Sequence, residues 1–273
     1  MQNIKTGFIG GGNMARSLIG GLIASGCPAS SITVSDRDPE QLVSIKSDFQ
    51  VNTVETNQSV VEAAEVIVLA VKPQVMKDVI SQLSAESVSG KLLVTIVAGI
   101  RTTAIANWLQ GDCAIVRTMP NTPALVRSGA TGMYANPACS EAQREIAESI
   151  LRAVGLTLWV EDEDQLDAIT ALSGSGPAYL FLVMEAMEQA GIQLGLPADT
   201  ARLLAVQTAF GASKLALEIE EDPAILRERV TSLGGTTEQA IRVFQEQHLI
   251  KIFEQAMTAA RDRATELAEQ LGQ

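Results

Sequence analysis

Two clusters of small and hydroxyl-bearing residues have the types and spacing for chemistry. The first, Gly10-Gly11-Gly12-Asn13-Met14-Ala15, follows a short apolar run and opens a helical pattern. In this G-x-G-x-x-A arrangement Gly10 allows a tight turn, Gly12 lets a pyrophosphate approach the backbone, and Ala15 permits close packing of helix on sheet. Unpaired N–H groups in the first turn would face the phosphates. Strand, turn and helix come in the order that a dinucleotide site requires. The second cluster, Thr231-Ser232-Leu233-Gly234-Gly235-Thr236-Thr237, leads into another helix. Its Gly234 and Gly235 amides and the hydroxyls of Ser232, Thr236 and Thr237 suit a carboxylate. Thr236 and Gln239 also fit capping-box spacing, so capping and anion binding both stay open.

What is scarce narrows the reaction further. Reduction of a ketone requires an acid for the developing alkoxide, commonly histidine or lysine. The chain has one histidine, His248, placed between two expected helices where a loop or cap role fits better. An imine nitrogen is protonated before hydride arrives, so a hydroxyl or water suffices. The remaining needs are an aligned cofactor and a clamp for the substrate's charge. The two clusters thus favour reduction of a small cyclic imine by NADPH or NADH.

The elements that must position these residues change character along the 273 residues. Short β-branched runs at Lys5–Ile9, Ile32–Ser35, Glu65–Ala70, Leu92–Ile96 and Ala114–Thr118 alternate with helical stretches at Met14–Ser25, Pro39–Ser47, Ser59–Ala64 and Pro73–Leu83. That rhythm implies an α/β, doubly wound, mostly parallel sheet of Rossmann type. Beyond Trp159 the pattern is helical only: Gln165–Ala171, Pro177–Leu194, Pro197–Ile219, Asp222–Val230, Thr237–Gln245 and Leu249–Leu271. Residues 1–160 hold 12 Lys/Arg against 13 Asp/Glu, and residues 161–273 hold 8 against 19. A division into 1–161, cofactor domain, and 162–273, all-helical domain, follows. Helices such as Tyr179–Met187 and Leu203–Phe210 are apolar on too many sides for a monomer surface, which calls for a partner subunit.

Ligands in such sheets bind beyond the carboxyl ends of the strands. Ser35-Asp36-Arg37 ends the second strand, where the adenine ribose is read: Asp36 suits a 2′-OH and Arg37 a 2′-phosphate, so NADPH is expected ahead of NADH with both usable. Arg37 as a solvated loop charge is the alternative. Ala70-Val71-Lys72-Pro73, Ala98-Gly99 and Met119-Pro120-Asn121 follow later strands and would line the route to the nicotinamide. Lys72 also suits a plain helix start, and the Pro-Asn-Thr-Pro segment a rigid turn. Ser173-Gly174-Ser175-Gly176-Pro177 is a turn with proline at a helix start, fit for shaping a pocket or for close packing.

Composition removes other classes. A net charge of −12 and a pI near 4.6 lack the basic footprint of a nucleic-acid or anionic-membrane binder. Cys27, Cys113 and Cys139 are few and scattered, so neither disulfides nor a metal site is expected. No signal peptide is apparent, and no unbroken apolar run reaches the roughly 18–20 residues of a membrane span, so a cytoplasmic location is expected.

GFIGGGNMA, AVKPQ, VAG, RTMPNTPAL, LSGSGPAY and SLGGTTEQAIRVF, in this order from Gly7 to Phe244, resemble the pyrroline-5-carboxylate reductase family. The resemblance implies reduction of Δ1-pyrroline-5-carboxylate to L-proline, the last step of proline synthesis. It also implies a C-terminal dimerisation domain and a homodimer at least, with a decameric ring of dimers as a larger assembly. By motif position Gly10, Gly12, Asn13, Met14, Ala15, Asn57, Val71, Lys72, Pro73, Ala98 and Gly99 would contact the cofactor. Ser232, Thr236 and Thr237 would hold the substrate carboxylate, and the Thr237 hydroxyl would partner the ring nitrogen. Leu233 departs from the proline common in the family, and Arg229 from an uncharged residue. Two rivals remain: a β-hydroxyacid dehydrogenase, for which Lys214 is the comparable lysine, and a non-catalytic NADP(H)-binding redox sensor.

Overall fold

The computed structural model describes Ile4–Gly272. Its sheet has eight strands: β1 (Thr6–Ile9), β2 (Ile32–Ser35), β3 (Asn52–Val54), β4 (Val66–Leu69), β5 (Leu92–Thr95), β6 (Ala114–Met119), β7 (Gly129–Ala135) and β8 (Gly155–Trp159). They lie in the order β3-β2-β1-β4-β5-β6-β7-β8. The first six are parallel and follow the Rossmann order, β7 runs antiparallel to β6, and β8 is parallel to β7.

Helices α1 (Asn13–Ala24), α2 (Pro39–Phe49), α3 (Asn57–Ala63), α4 (Met76–Ser81), α5 (Ala85–Val88), α6 (Thr102–Leu109) and α7 (Glu141–Arg152) accompany these strands. The central strands are buried at every position, which explains their unbroken apolar runs. Side chains alternate across the sheet: Phe8 and Val94 pack with Leu18 of α1, Ile45 of α2 and Ile150 of α7. Ile9 and Leu93 face the other way, onto Val60 of α3, Val79 of α4 and Ile105 of α6. This sandwich fixes the carboxyl edge of the parallel strands.

The helical part comprises α8 (Gln165–Ile169), a π-helical turn (Thr170–Gly174), α9 (Gly176–Gln193), α10 (Ala198–Ile219), α11 (Pro223–Arg229), α12 (Thr236–Glu246) and α13 (Leu249–Leu271). By contacts the chain forms two compact units, Met1–Ser175 with Ala260–Gln273, and Gly176–Ala259. In the second unit α9 and α10 pair with each other, and only Ala201 and Ala205 are buried. Phe181, Leu182, Leu203 and Phe210 are each at least 60% exposed in the single chain. Such faces require cover that one chain does not supply.

Three strands went unread in the sequence. β3 is a three-residue edge strand, β7 carries two glycines, and β8 leaves Leu156 and Leu158 exposed. Within the helical stretch Gln165–Gln193 an 18-residue window reaches a mean hydropathy of 1.3, enough by length and composition to cross a bilayer. Asp167, Glu185 and Glu188 interrupt the stretch, so no unbroken apolar run spans it.

Candidate active site

The glycine turn is built where β1, β2 and β4 end together. Gly10 has φ +100°, and a Cβ there would lie 2.5 Å from the Ala70 carbonyl oxygen. Only glycine allows both the backbone angle and this approach of β1 to β4. The Gly10 N–H donates to Ser35 O at 2.8 Å, which ties in β2. Gly12 caps α1 without a side-chain partner and borders open space, as a phosphate-binding turn requires. Asn13 is exposed and Met14 half-buried, whereas Ala15 is buried in the core beside Phe8 and Val34.

A cavity of about 360 Å³ opens at this edge. It is lined by Gly10, Gly12, Asp36, Arg37, Asn57, Ala70, Val71 and Lys72 among the expected residues, with Ser35 beside them. The volume lies in the range of small-ligand sites. Asp36 is engaged from within the chain: Oδ2 accepts from Gly11 N–H at 2.7 Å and Oδ1 from Asp38 N–H at 2.9 Å. It braces the glycine turn. Asn57 Oδ1 accepts from Ser35 Oγ at 2.8 Å, which leaves its amide nitrogen as the group to offer a ligand. Ser35 had no assigned role in the sequence, because its contribution depends on a side chain 22 residues away. Pro73 starts the turn after Lys72.

The other expected cofactor residues stand at neighbouring strand ends rather than in this cavity. Ala98 is exposed, while Gly99 is buried beneath Leu267 and Ala268 of α13. Met119 is half-buried, Pro120 is buried, and the Asn121 side chain is held at both ends by protein groups.

A buried ion network, unassigned in the sequence, supports the same edge. Arg117, on β6, is 3% exposed and donates to Glu163 Oε1 and Asp167 Oδ1, both at 3.2 Å. Arg101 pairs with Asp164 and with Asp167, and Glu163 accepts from the N–H and hydroxyl of Thr102 at 2.8 Å each. The acidic stretch expected at the domain boundary therefore holds the β5 and β6 ends. An arginine inside an apolar strand was the available signal.

In the second unit, the glycine–threonine loop departs from the capping-box geometry. Gly235 is the N-cap of α12, with no side-chain cap bond, and Thr236 is its first residue. Gly235 N–H donates to Ser232 O at 2.9 Å, and Gly234 N–H to Glu238 Oε2 at 2.8 Å. The two glycine amides thus shape the loop, and capping does not use the Thr236 and Thr237 hydroxyls. Leu233 is exposed. Arg229 pairs with Glu221 at 2.7 Å, Lys214 with Glu218 at 3.7 Å, and His248 sits at φ 55° in the turn before α13. Lys214 is 59% exposed in the single chain. Burial pushes the Cys113 thiol up to about 11, assisted by Cys139 and Asp112, so it stays protonated at neutral pH.

Comparisons with known proteins agree across both units. The family model for pyrroline-5-carboxylate reductase dimerisation matches residues 163–267. A model described as NADP oxidoreductase, coenzyme F420-dependent, matches residues 5–99. The chain is 52% identical over 273 residues to pyrroline-5-carboxylate reductase of Pseudomonas aeruginosa, covering 100% of both chains. It is 46% identical to that of Haemophilus influenzae, covering 98% of each. A Coxiella burnetii pyrroline-5-carboxylate reductase structure superposes with a TM-score of 0.93 at 47% identity, covering 97% of this chain and 99% of the other. The Plasmodium falciparum pyrroline carboxylate reductase with NADP bound gives 0.87 at 25% identity, covering 98% and 99%. With full-length identity and both domain types in place, the chain belongs to the pyrroline-5-carboxylate reductase family.

Proposed function

We infer that the chain reduces Δ1-pyrroline-5-carboxylate to L-proline, the final step of proline biosynthesis. The single observation that carries this is the 52% identity, over the whole chain, to a pyrroline-5-carboxylate reductase. A bound NADPH or NADH supplies the hydride that reduces the imine carbon and leaves as the oxidised dinucleotide. The glycine turn and α1 N-terminus receive the pyrophosphate, and Ser232, Thr236 and Thr237 hold the carboxylate. The Thr237 hydroxyl hydrogen-bonds the ring nitrogen, which carries its proton into the product amine. Gly234 and Gly235 act by shaping this loop.

The test is turnover. Incubation with NADPH and racemic pyrroline-5-carboxylate is expected to consume cofactor and yield proline. Reduction of NAD by 3-hydroxyisobutyrate without NADPH oxidation by the imine would favour the dehydrogenase rival, and turnover with neither substrate the sensor.

NADPH is proposed as the preferred cofactor. Arg37 lines the cavity and its guanidinium suits a 2′-phosphate, while Asp36, which accepts one backbone amide on each oxygen, keeps lone pairs for a 2′-OH, so both cofactors stay usable. Arg37→Ala is expected to raise the KM for NADPH by about 10- to 100-fold and change that for NADH little, since a charge-assisted bond is worth about 1.5–3 kcal/mol. Equal losses with both cofactors would remove Arg37 from 2′-phosphate recognition.

The cofactor-binding domain is proposed to end at 161 and the helical domain to begin at 162, although residues 162–175 pack with the first compact unit, and the exposed faces of α9 and α10 meet a second copy within the dimerisation region. That gives the apolar Gln165–Gln193 stretch a protein partner in place of lipid, and supports a cytoplasmic enzyme. A decamer of five dimers is the proposed larger assembly.

A further inference from the structure

The Thr170–Gly174 π turn stands one residue before the start of the second unit, and its geometry depends on a side chain far away in sequence. Ser175 N–H donates to Thr170 O, five residues back, at 2.8 Å. A π turn inside a helix is rare and costs hydrogen-bond quality, so it persists where something outside the helix stabilises it. In α-helical register Ser173 C=O would receive the N–H of residue 177. That residue is Pro177, which has none. Asn121 supplies the missing donor: its Nδ2 donates to Ser173 O at 3.0 Å. Its Oδ1 accepts from Ala130 N–H at 2.9 Å, so the amide is anchored to β7 as well.

The turn also meets the end of β6 directly. A Cβ on Gly174 would lie 2.5 Å from Met119 Cε, so the glycine makes room for the Met119 side chain. Ile169 packs where a Cβ on Gly132 of β7 would stand, which keys the preceding helix to the same strand pair. β6 lies two strands from β4, on the side of the glycine turn opposite β2. With the adenosine half on the β2 side, the nicotinamide half extends toward β5 and β6.

We propose that Asn121 is a positioning residue of the reductase: by replacing the donor that Pro177 lacks, it locks the π turn onto β6 and holds Met119 and Pro120 at the nicotinamide edge. It acts through Ser173 and Ala130, without touching the cofactor. Asparagine is required because one end must donate and the other accept over the length of an amide. Aspartate would present oxygen to the Ser173 carbonyl. The proposal rests on hydride transfer at the carboxyl edge of β5 and β6.

The experiment uses Asn121→Asp and Gly174→Ala in the full-length enzyme, with kcat, the Kd for NADPH by fluorescence, and hydrogen exchange across residues 169–176. Asn121→Asp is expected to lower kcat by about 10- to 100-fold, the scale of a small misplacement. NADPH affinity should stay unchanged while exchange in the turn accelerates. A parallel loss of NADPH affinity would overturn the proposal by making Asn121 a cofactor ligand. Unchanged kcat despite faster exchange would overturn it by making the turn irrelevant to catalysis. Should Asn121→Asp fail to fold, Gly174→Ala disturbs the turn from the Met119 side with Asn121 intact, and the same kcat loss with unchanged affinity is expected; an unchanged kcat there overturns it. Inactivity of the unaltered enzyme with the imine would instead overturn the proposed function.

Discussion

Arg117→Met is expected to destabilise the fold by about 3–5 kcal/mol, the cost of removing one partner from a buried ion pair. The Arg117 and Asp167 side chains are 3% and 4% exposed, so water replaces little of what the guanidinium supplies. Asp167 keeps Arg101 at 3.3 Å and the Thr265 hydroxyl at 3.2 Å, and Glu163 keeps Thr102, which places the loss toward the lower end. Arg117→Lys is expected to recover part of it only, because an ammonium cannot reach two carboxylates as a fork. Urea unfolding at one fixed protein concentration measures the change, since association contributes to stability. Combining Arg117→Met with Asp167→Asn should cost less than the two single changes together. Strict additivity would mean that the pair is not coupled.

The same network illustrates what a sequence does and does not disclose. Glu161-Asp162-Glu163-Asp164 was legible as a change of character, and Arg117 as a charge within an apolar strand. Their pairing was not, because it joins residues 46 and 50 positions apart through the sheet. The Gly10–Ala15 turn was legible where its requirements are local, a tight turn at Gly10 and a small residue at Ala15 against the sheet, but not in the approach of Gly10 to Ala70. The β7 strand was hidden for the opposite reason. Its Gly132 has low strand propensity but makes room for Ile169, so tertiary packing chose a residue that local propensity disfavours. The role of Asp36 fell between these cases. Its position at a strand end was readable, but that its carboxylate serves Gly11 and Asp38 emerged only from the fold.

Thr237→Ala carries the largest expected effect on catalysis. Thr237 is the second residue of α12, whose cap is Gly235, so loss of its hydroxyl removes no cap bond. The helix should therefore persist in the variant. What changes is the partner of the substrate's ring nitrogen as the imine becomes an amine. A positioned group that manages a proton in the transition state is worth about 10²- to 10⁴-fold, and an imine that arrives protonated needs the lower part of that range. kcat is thus expected to fall by about 100-fold with the Kd for NADPH unchanged, because the hydroxyl belongs to the substrate side. Thr237→Ser keeps the hydroxyl and should restore most of the rate, which a purely structural role for the methyl group would not allow. Ser232→Ala offers the complementary outcome: a higher KM for pyrroline-5-carboxylate with kcat little altered, as expected of a residue that binds the carboxylate equally in ground and transition states. If Thr237→Ala turned over at the unaltered rate, the protonated ring nitrogen would need no hydroxyl partner and the loop would be reduced to a carboxylate clamp.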